Sequence, residues 1–253
     1  MKISPEYIWK KYRESGMTEA GAAAMIGAGI EPESAFVVNN VEDRMHSALG
    51  MTDEQYTAAV DNGSYTKFVN DSYGYGLHQW TLAYRKNKML TRARALGLSV
   101  GNVDFQLDFA IFELAGEGEY ANLWKALRTS NDVDKLSDMV VDIYERPANT
   151  AKEKVSRRKQ SRKWFEKFAG VAVKESQSKY WPPRTIQYGM EGADVKVAQA
   201  LLEARGYPMK EETPGSFGYY TKQGVVEEQK KNNLTQDGII GEKTWPVLLR
   251  RTT

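Results

Sequence analysis

Chemistry in this 253-residue chain has to rest on carboxylates, because it holds no cysteine and only two histidines, His46 and His78. That excludes disulfides, thiolate nucleophiles and the Cys-containing forms of structural zinc site, and no His-Glu-x-x-His spacing is present to build a catalytic one. No metal and no cofactor are expected. In Gly27-Ala28-Gly29-Ile30-Glu31-Pro32-Glu33-Ser34-Ala35-Phe36, Glu33 falls where a small-residue apolar helix gives out, between Pro32 and Phe36. Partly apolar surroundings disfavour the charged carboxylate and raise its pKa, as a general acid near neutral pH requires. A surface glutamate at a helix end is the bland alternative. The second stretch is Asn70-Asp71-Ser72-Tyr73-Gly74-Tyr75-Gly76-Leu77-His78-Gln79-Trp80. Its glycines permit a tight backbone path, while Tyr73, Tyr75 and Trp80 offer flat faces on which sugar rings stack. Aromatics more often fill a core, but here Asp71, His78 and Gln79 are interleaved with them.

The elements that must position these residues read as helices. Segments 4–15 and 18–30 each start at a Ser or Thr followed by an acidic residue in the first turn. In Val103–Ala115 apolar residues cover most of the helix circumference, which places that helix in the middle of a domain. Further helices fit 52–60, 81–96, 120–128 and 132–144. Only 61–76 reads as turns with short strands, through Asn62-Gly63 and the alternation Tyr65, Lys67, Val69. Trp181-Pro182-Pro183 stiffens the chain against helix, so 171–183 reads as a linker between a domain at 1–170 and a smaller one at 184–253. The smaller one shows three helical stretches, 191–205, 219–232 and 242–250, and at about 70 residues leaves little room for a catalytic cavity. It reads as a binding module.

Charge divides along the same lines. The total is 35 basic against 33 acidic residues, a net of +2, but residues 1–150 carry 15 basic and 21 acidic, while 151–170 carry eight basic and two acidic. The basic segment reads as a solvated helix whose Val155, Trp164, Phe165 and Phe168 pack inward, with contact to an anionic polymer as the alternative. The acidic body argues against nucleic acid as a partner. The longest apolar stretch, 20–30, is too short to cross a bilayer that needs about 20 residues, and the charged amino terminus does not read as an export signal.

Glu33-Ser34-Ala35-Phe36 and Gly74-Tyr75-Gly76-Leu77-His78-Gln79-Trp80 together resemble the Glu-Ser and Gly-Leu-x-Gln signatures of goose-type lysozymes and lytic transglycosylases. Over about residues 15–165 the chain is more similar to the phage tail lysozyme family, whose recurring segments Val60-Asp61-Asn62-Gly63-Ser64-Tyr65 and Tyr144-Glu145-Arg146-Pro147 also resemble. The carboxyl-terminal part resembles a three-helix peptidoglycan-binding domain, through Gln199-Ala200-Leu201-Leu202, Phe217-Gly218 and Asp237-Gly238-Ile239-Ile240-Gly241 with Lys243-Thr244-Trp245.

The resemblance implies a mainly α fold, a lysozyme-like domain with a little β structure followed by a three-helix bundle. It implies a monomeric endolysin that cleaves the muramic acid to glucosamine β-1,4 bond of peptidoglycan, with glycan and peptide stem as partners. Such a protein would accumulate in the host cytoplasm and reach the wall through a separate pore. Glu33 matches the family's catalytic acid, and Asp71 falls near a goose-type aspartate that could serve as base. Tyr73, Tyr75, His78, Gln79 and Tyr144 would line the sugar cleft. Tyr207, Phe217 and Trp245 are candidates for wall contact, although filling a small core is the commoner role for any one of them. Two alternatives stay open: a lytic transglycosylase in which Glu33 acts alone to leave a 1,6-anhydro end, and a noncatalytic wall-binding or tail structural protein.

Overall fold

Helix α7 (Val103–Ala115) is enclosed by other elements, with Phe105, Leu107, Phe109, Ile111 and Leu114 all buried. The computed structural model describes residues 1–116, 118–170, 184–210, 212–241 and 243–249, so the expected linker 171–183 lies outside the described residues. Asn102 caps α7 by accepting from the Phe105 amide. Two polar side chains on this apolar helix tie the surrounding loops to it. Gln106 donates to the carbonyls of Val38 and Val100, both at 2.8 Å, and accepts from the Leu77 amide at 2.9 Å. Glu113 binds Arg85, Trp80 and Tyr144. A buried polar group is tolerated when fully bonded, and both are.

Around α7 stand α1 (Pro5–Glu14), α2 (Glu19–Ala24), α3 (Glu31–Ser34), α4 (Asp43–Leu49), α5 (Asp53–Asp61), α6 (Ala83–Leu96), α8 (Ala121–Thr129), α9 (Val133–Met139) and α10 (Thr150–Phe168). Ser4 and Thr18 cap α1 and α2 through their hydroxyls. Segment 18–30 is not one uniform helix. It widens at Met25–Ile30 into a π-helical segment, and 132–144 does the same at Val140–Glu145. Such widenings insert one residue into a helix and are frequent at functional sites. Helix α10 lies across the first of them so closely that a Cβ on Gly27 would sit 2.4 Å from the Ser161 amide nitrogen.

The short strands expected at 61–76 do not form. Asn62 and Gly63, at φ +80°, terminate α5 instead of turning a hairpin, and only an isolated bridge joins Tyr75 to Val41. A capping box at Thr52 and Gln55 fixes the other end of α5. Helix α10 also departs from expectation. Trp164 and Phe168 turn inward, but Val155 is 71% exposed, and the inward places go to Arg157 and Ser161. Its cations pair with the acidic body: Arg158 with Asp138, Arg162 with Asp134, Lys163 with Glu31 and Lys154 with Asp142. The charge split is therefore largely answered within the domain.

In the carboxyl-terminal part, α11 (Ala193–Glu203), α12 (Tyr219–Lys231) and α13 (Thr244–Leu249) are joined by loops fastened to two buried glutamines. Gln199 bonds the backbone of Gly215 and Ser216, and Gln229 that of Gly238 and Ile239. No helix among the described residues is long and apolar enough to cross a membrane.

Candidate active site

Both π-helical segments run into a carboxylate. The first leads into α3, which carries Glu33 and is stopped by two non-glycine residues in the left-handed region, Ala35 at φ 47° and Phe36 at φ 70°. The second ends on Glu145, after which Arg146 turns left-handed at φ 51°. Residues held in that sparsely populated region concentrate at functional sites. Phe36 is fixed by an edge-on contact with Trp164 of α10, 5.6 Å between centroids.

Glu33 and Glu145 line one cleft of about 570 Å³, together with Glu42, His78, Gln79 and Tyr144. Arg85, Tyr120 and Arg146 complete its polar wall. The Glu33 carboxyl is partly exposed, 21%, and Arg157 of α10 meets its Oε1 at 2.6 Å. Arg157 is itself anchored on the Ala28 carbonyl at 2.6 Å and on Glu153 at 3.1 Å. Burial is nevertheless the larger influence. Together with the nearby charge of Glu145 it raises the Glu33 pKa, against the lowering effect of Arg157 and His78.

Beneath the cleft, His78 is sealed. Its Nδ1 lies 2.7 Å from Glu145 Oε1 and its Nε2 2.9 Å from the Tyr12 hydroxyl. Side-chain exposure is 0% for His78 and 3% for Glu145, so neither group can be charged cheaply. Burial and Arg85 push the His78 pKa down to about 3, and burial pushes Glu145 up to about 8. Both environments therefore favour the uncharged form, a neutral imidazole beside a protonated carboxyl. Gly29 makes room for this pair, since a Cβ there would lie 2.8 Å from His78 Cε1 and 3.1 Å from Glu145 Oε1.

The floor is a charged cluster. Arg85 and Glu113 pair at 2.7 Å, Tyr144 donates to Glu113 at 2.9 Å, and the Arg85 guanidinium stacks 4.4 Å from the Tyr144 ring centre. At the rim, Glu42 bonds Arg44 bidentately and accepts from the Gly74 amide at 3.3 Å. These contacts, with the Arg44 bond foremost, lower the Glu42 pKa. One cleft thus holds two carboxyls biased toward the proton, the partly exposed Glu33 and the buried Glu145, and one biased toward ionisation, Glu42; a difference of this kind is what an acid and a base require.

Glu33 and Gln79 reach the cleft, while His78 and Tyr144 border it from beneath as buried side chains rather than as sugar-facing walls, and three other expected residues do not line it. Asp71 is excluded from the cleft. Its carboxyl, 3% exposed, is locked by Lys86 at 2.6 Å, by the Tyr56 hydroxyl and by the Tyr73 amide at 3.1 Å, which leaves no room for a water to be activated. Tyr75 is fully buried, its hydroxyl 2.8 Å from Thr57 Oγ1 and its ring edge-on to Phe68. Tyr73 packs half-buried against the core, and its carbonyl accepts from Lys86. Gln79 holds the loop in shape, donating to the carbonyls of Asn40 and Gly76 from a left-handed backbone at φ 44°.

Sequence reasoning missed Glu42, Glu145 and Arg157. Glu42 lies ahead of α4, a helix that the sequence reading did not single out, and Arg157 read as one cation in a basic face; a basic residue inside the inward stripe of α10 was the available signal for the latter. Of the wall-contact candidates, Phe217 and Trp245 are core residues, 1% and 3% exposed, with Trp245 donating to the Arg184 carbonyl. Tyr207 is half-buried under Lys231. Large aromatic surface is instead presented by Tyr188 and Tyr219, about three-fifths exposed.

The family described as phage tail lysozyme matches residues 4–168, and the family described as putative peptidoglycan binding domain matches residues 191–248. A crystal structure of a peptidoglycan-binding protein from Clostridioides difficile in complex with glutamine hydroxamate is 42% identical over 26% of this chain, with a TM-score of 0.24. The match spans 41% of that protein's length.

Proposed function

The chain belongs to the phage tail lysozyme family, and from that premise we propose that it is an endolysin-type N-acetylmuramidase that hydrolyses the muramic acid to glucosamine β-1,4 bond. Glu33 protonates the glycosidic oxygen as the bond breaks. Glu42 takes a proton from the attacking water, replacing Asp71 in that role. The observation that carries this reading is the cleft shared by Glu33, whose pKa is raised, and Glu42, whose pKa is lowered. A single-displacement hydrolysis places its two carboxyls roughly 6.5–9.5 Å apart so that water fits between them. Tyr120 and Gln79 contribute walls that orient the sugar, over a buried floor of Tyr144, Arg85 and Glu113. The carboxyl-terminal module retains the enzyme on the wall, with Tyr188 and Tyr219 as stacking faces, once a separate pore has released the protein from the producing cell.

Lytic transglycosylation is the competing reading, and the sealed position of Asp71 favours it, because Glu33 would then act without that partner. Mass spectrometry of the released muropeptides separates the two, since a hydrolysed end carries one water more than an anhydro end. Hydrated muramic ends, with a loss of roughly 10²-fold or more in Glu42→Gln, are the expected result. Anhydro ends as the sole product would overturn the hydrolase, and full activity of Glu42→Gln would remove Glu42 as base.

A further inference from the structure

The cleft contains a carboxyl that the acid and base roles leave unused. Glu145 shares the cleft with Glu33. It is held against the same π-helical segment that leads into Glu33, and the Gly29 gap lets both Glu145 and His78 come close to that backbone. Glu145 and Glu33 also face one cation, Arg157, which contacts Glu33 directly and acts electrostatically on Glu145. Other elements complete the surroundings of Glu145: His78 from the preceding loop, Tyr12 of α1 behind it, Arg85 of α6 and Glu113 of α7. Both cations that act on Glu145 are held by other carboxylates as well, Arg85 by Glu113 and Arg157 by Glu33 and Glu153, so neither is free to stabilise a charge on Glu145.

Resting on the assignment of Glu33 as the acid, we propose that Glu33 and Glu145 share one proton, and that Glu145 is thereby the positioning residue that keeps a working fraction of Glu33 protonated at neutral pH. With their neighbouring cations already paired, two carboxyls that line one cleft within electrostatic reach of each other resist ionising together, so one proton remains on the pair after the first has left. In the resting cleft Arg157 draws the charge to Glu33, and the proton resides on Glu145 against His78. A minor population has the proton on Glu33 and the charge on Glu145. That population is the one that can protonate a leaving oxygen, and it persists until the pair loses its last proton. The raised pKa values of both carboxyls agree with this arrangement.

Replacing Glu145 by Gln keeps the shape and removes the competitor. Glu33 then faces Arg157 unopposed, and its protonated fraction falls tenfold for each pH unit above a lowered midpoint. The test is the pH dependence of kcat/KM on soluble glycan chains for wild type, Glu145→Gln and Glu33→Gln, with circular dichroism confirming the fold at every pH. The expected result is an alkaline limb moved acidward by about one unit in Glu145→Gln, a roughly tenfold loss at pH 7, and a loss that shrinks as the pH falls. A limb that does not move, or a loss equal at all pH values, would overturn the proposal by reducing Glu145 to a structural role. Should Glu145→Gln fold poorly, carboxyl carbon NMR titration of the wild-type protein decides instead: two linked steps on both Glu33 and Glu145 support the shared proton, and independent single steps refute it. Glu33→Gln separates the failures. Activity retained there would sink the assignment of the acid itself, whereas an inactive Glu33→Gln beside an unshifted Glu145→Gln would sink only the shared proton.

Discussion

Glu33 and Asp71 are both carboxylates paired to a buried cation at 2.6 Å, yet their surroundings lead to opposite uses. Asp71 is enclosed with Lys86 and bonded on both oxygens, by Lys86 and the Tyr73 amide at one and by the Tyr56 hydroxyl at the other. Glu33 keeps a fifth of its side chain open to the cleft and has a competing carboxyl, Glu145, within electrostatic reach. An ion pair alone therefore does not decide whether a carboxylate is structural. Access to substrate and an opposing like charge do, because they leave a protonated form both populated and reachable.

The contrast can be broken most forcefully at Asp71. Asp71→Asn leaves the Lys86 ammonium buried without its counter-charge, and removing one partner of such a pair costs roughly 3–5 kcal/mol of stability. Chemical denaturation should show that loss, while activity per folded molecule stays within a few-fold of wild type. A smaller cost, about 1–3 kcal/mol, is expected of Gly29→Ala, whose added methyl pushes on the His78 and Glu145 side chains. Thermal melts measure it, and an unchanged melting temperature would show that the pair can move aside.

Arg157→Gln sharpens the contrast in the other direction. Without its cation, Glu33 holds its proton more tightly, so the alkaline limb of the pH–rate profile should move up by roughly one unit. The pH dependence of stability bears on the same buried pair. His78, lowered to about 3, resists protonation in the folded state, so it costs stability as the pH falls below about 6.5. Glu145, raised to about 8, prefers its proton when folded, so its contribution is lost as the pH rises from about 4.5 toward 8. The two slopes oppose each other between about 4.5 and 6.5, where stability should be nearly flat. Above that window it should decline, and Glu145→Gln should remove the decline.

The helices of this protein were largely legible in its sequence because caps and periodicity are local. Ser4 and Thr18 announce their helices, and the apolar circumference of Val103–Ala115 correctly puts α7 at the centre. The π-helical widenings were not legible, since a one-residue insertion in a helix leaves no distinct pattern of types. Glu33 attracts attention by its place at the end of a small-residue helix. Asp71 read as a possible base, because nothing in Asn70–Trp80 tells whether Lys86, six residues after Trp80, folds back onto it. Arg157 and Glu145 come from segments more than 100 residues beyond Glu33 in the chain, and only the packing of α10 and the second π-helical segment against the first brings them near. Charge counting located the basic helix but not its inward cation.

The most direct measurement is kcat/KM of folded Glu33→Gln on soluble glycan chains, with Asp71→Asn measured beside it. General acid catalysis contributes roughly 10²–10⁴-fold, so Glu33→Gln should fall by that factor while Asp71→Asn, corrected for its folded fraction, stays near wild type. A Glu33→Gln that cleaves at the wild-type rate, or a well-folded Asp71→Asn that falls as far, would contradict the assignment of Glu33 as the acid and Asp71 as a structural carboxylate.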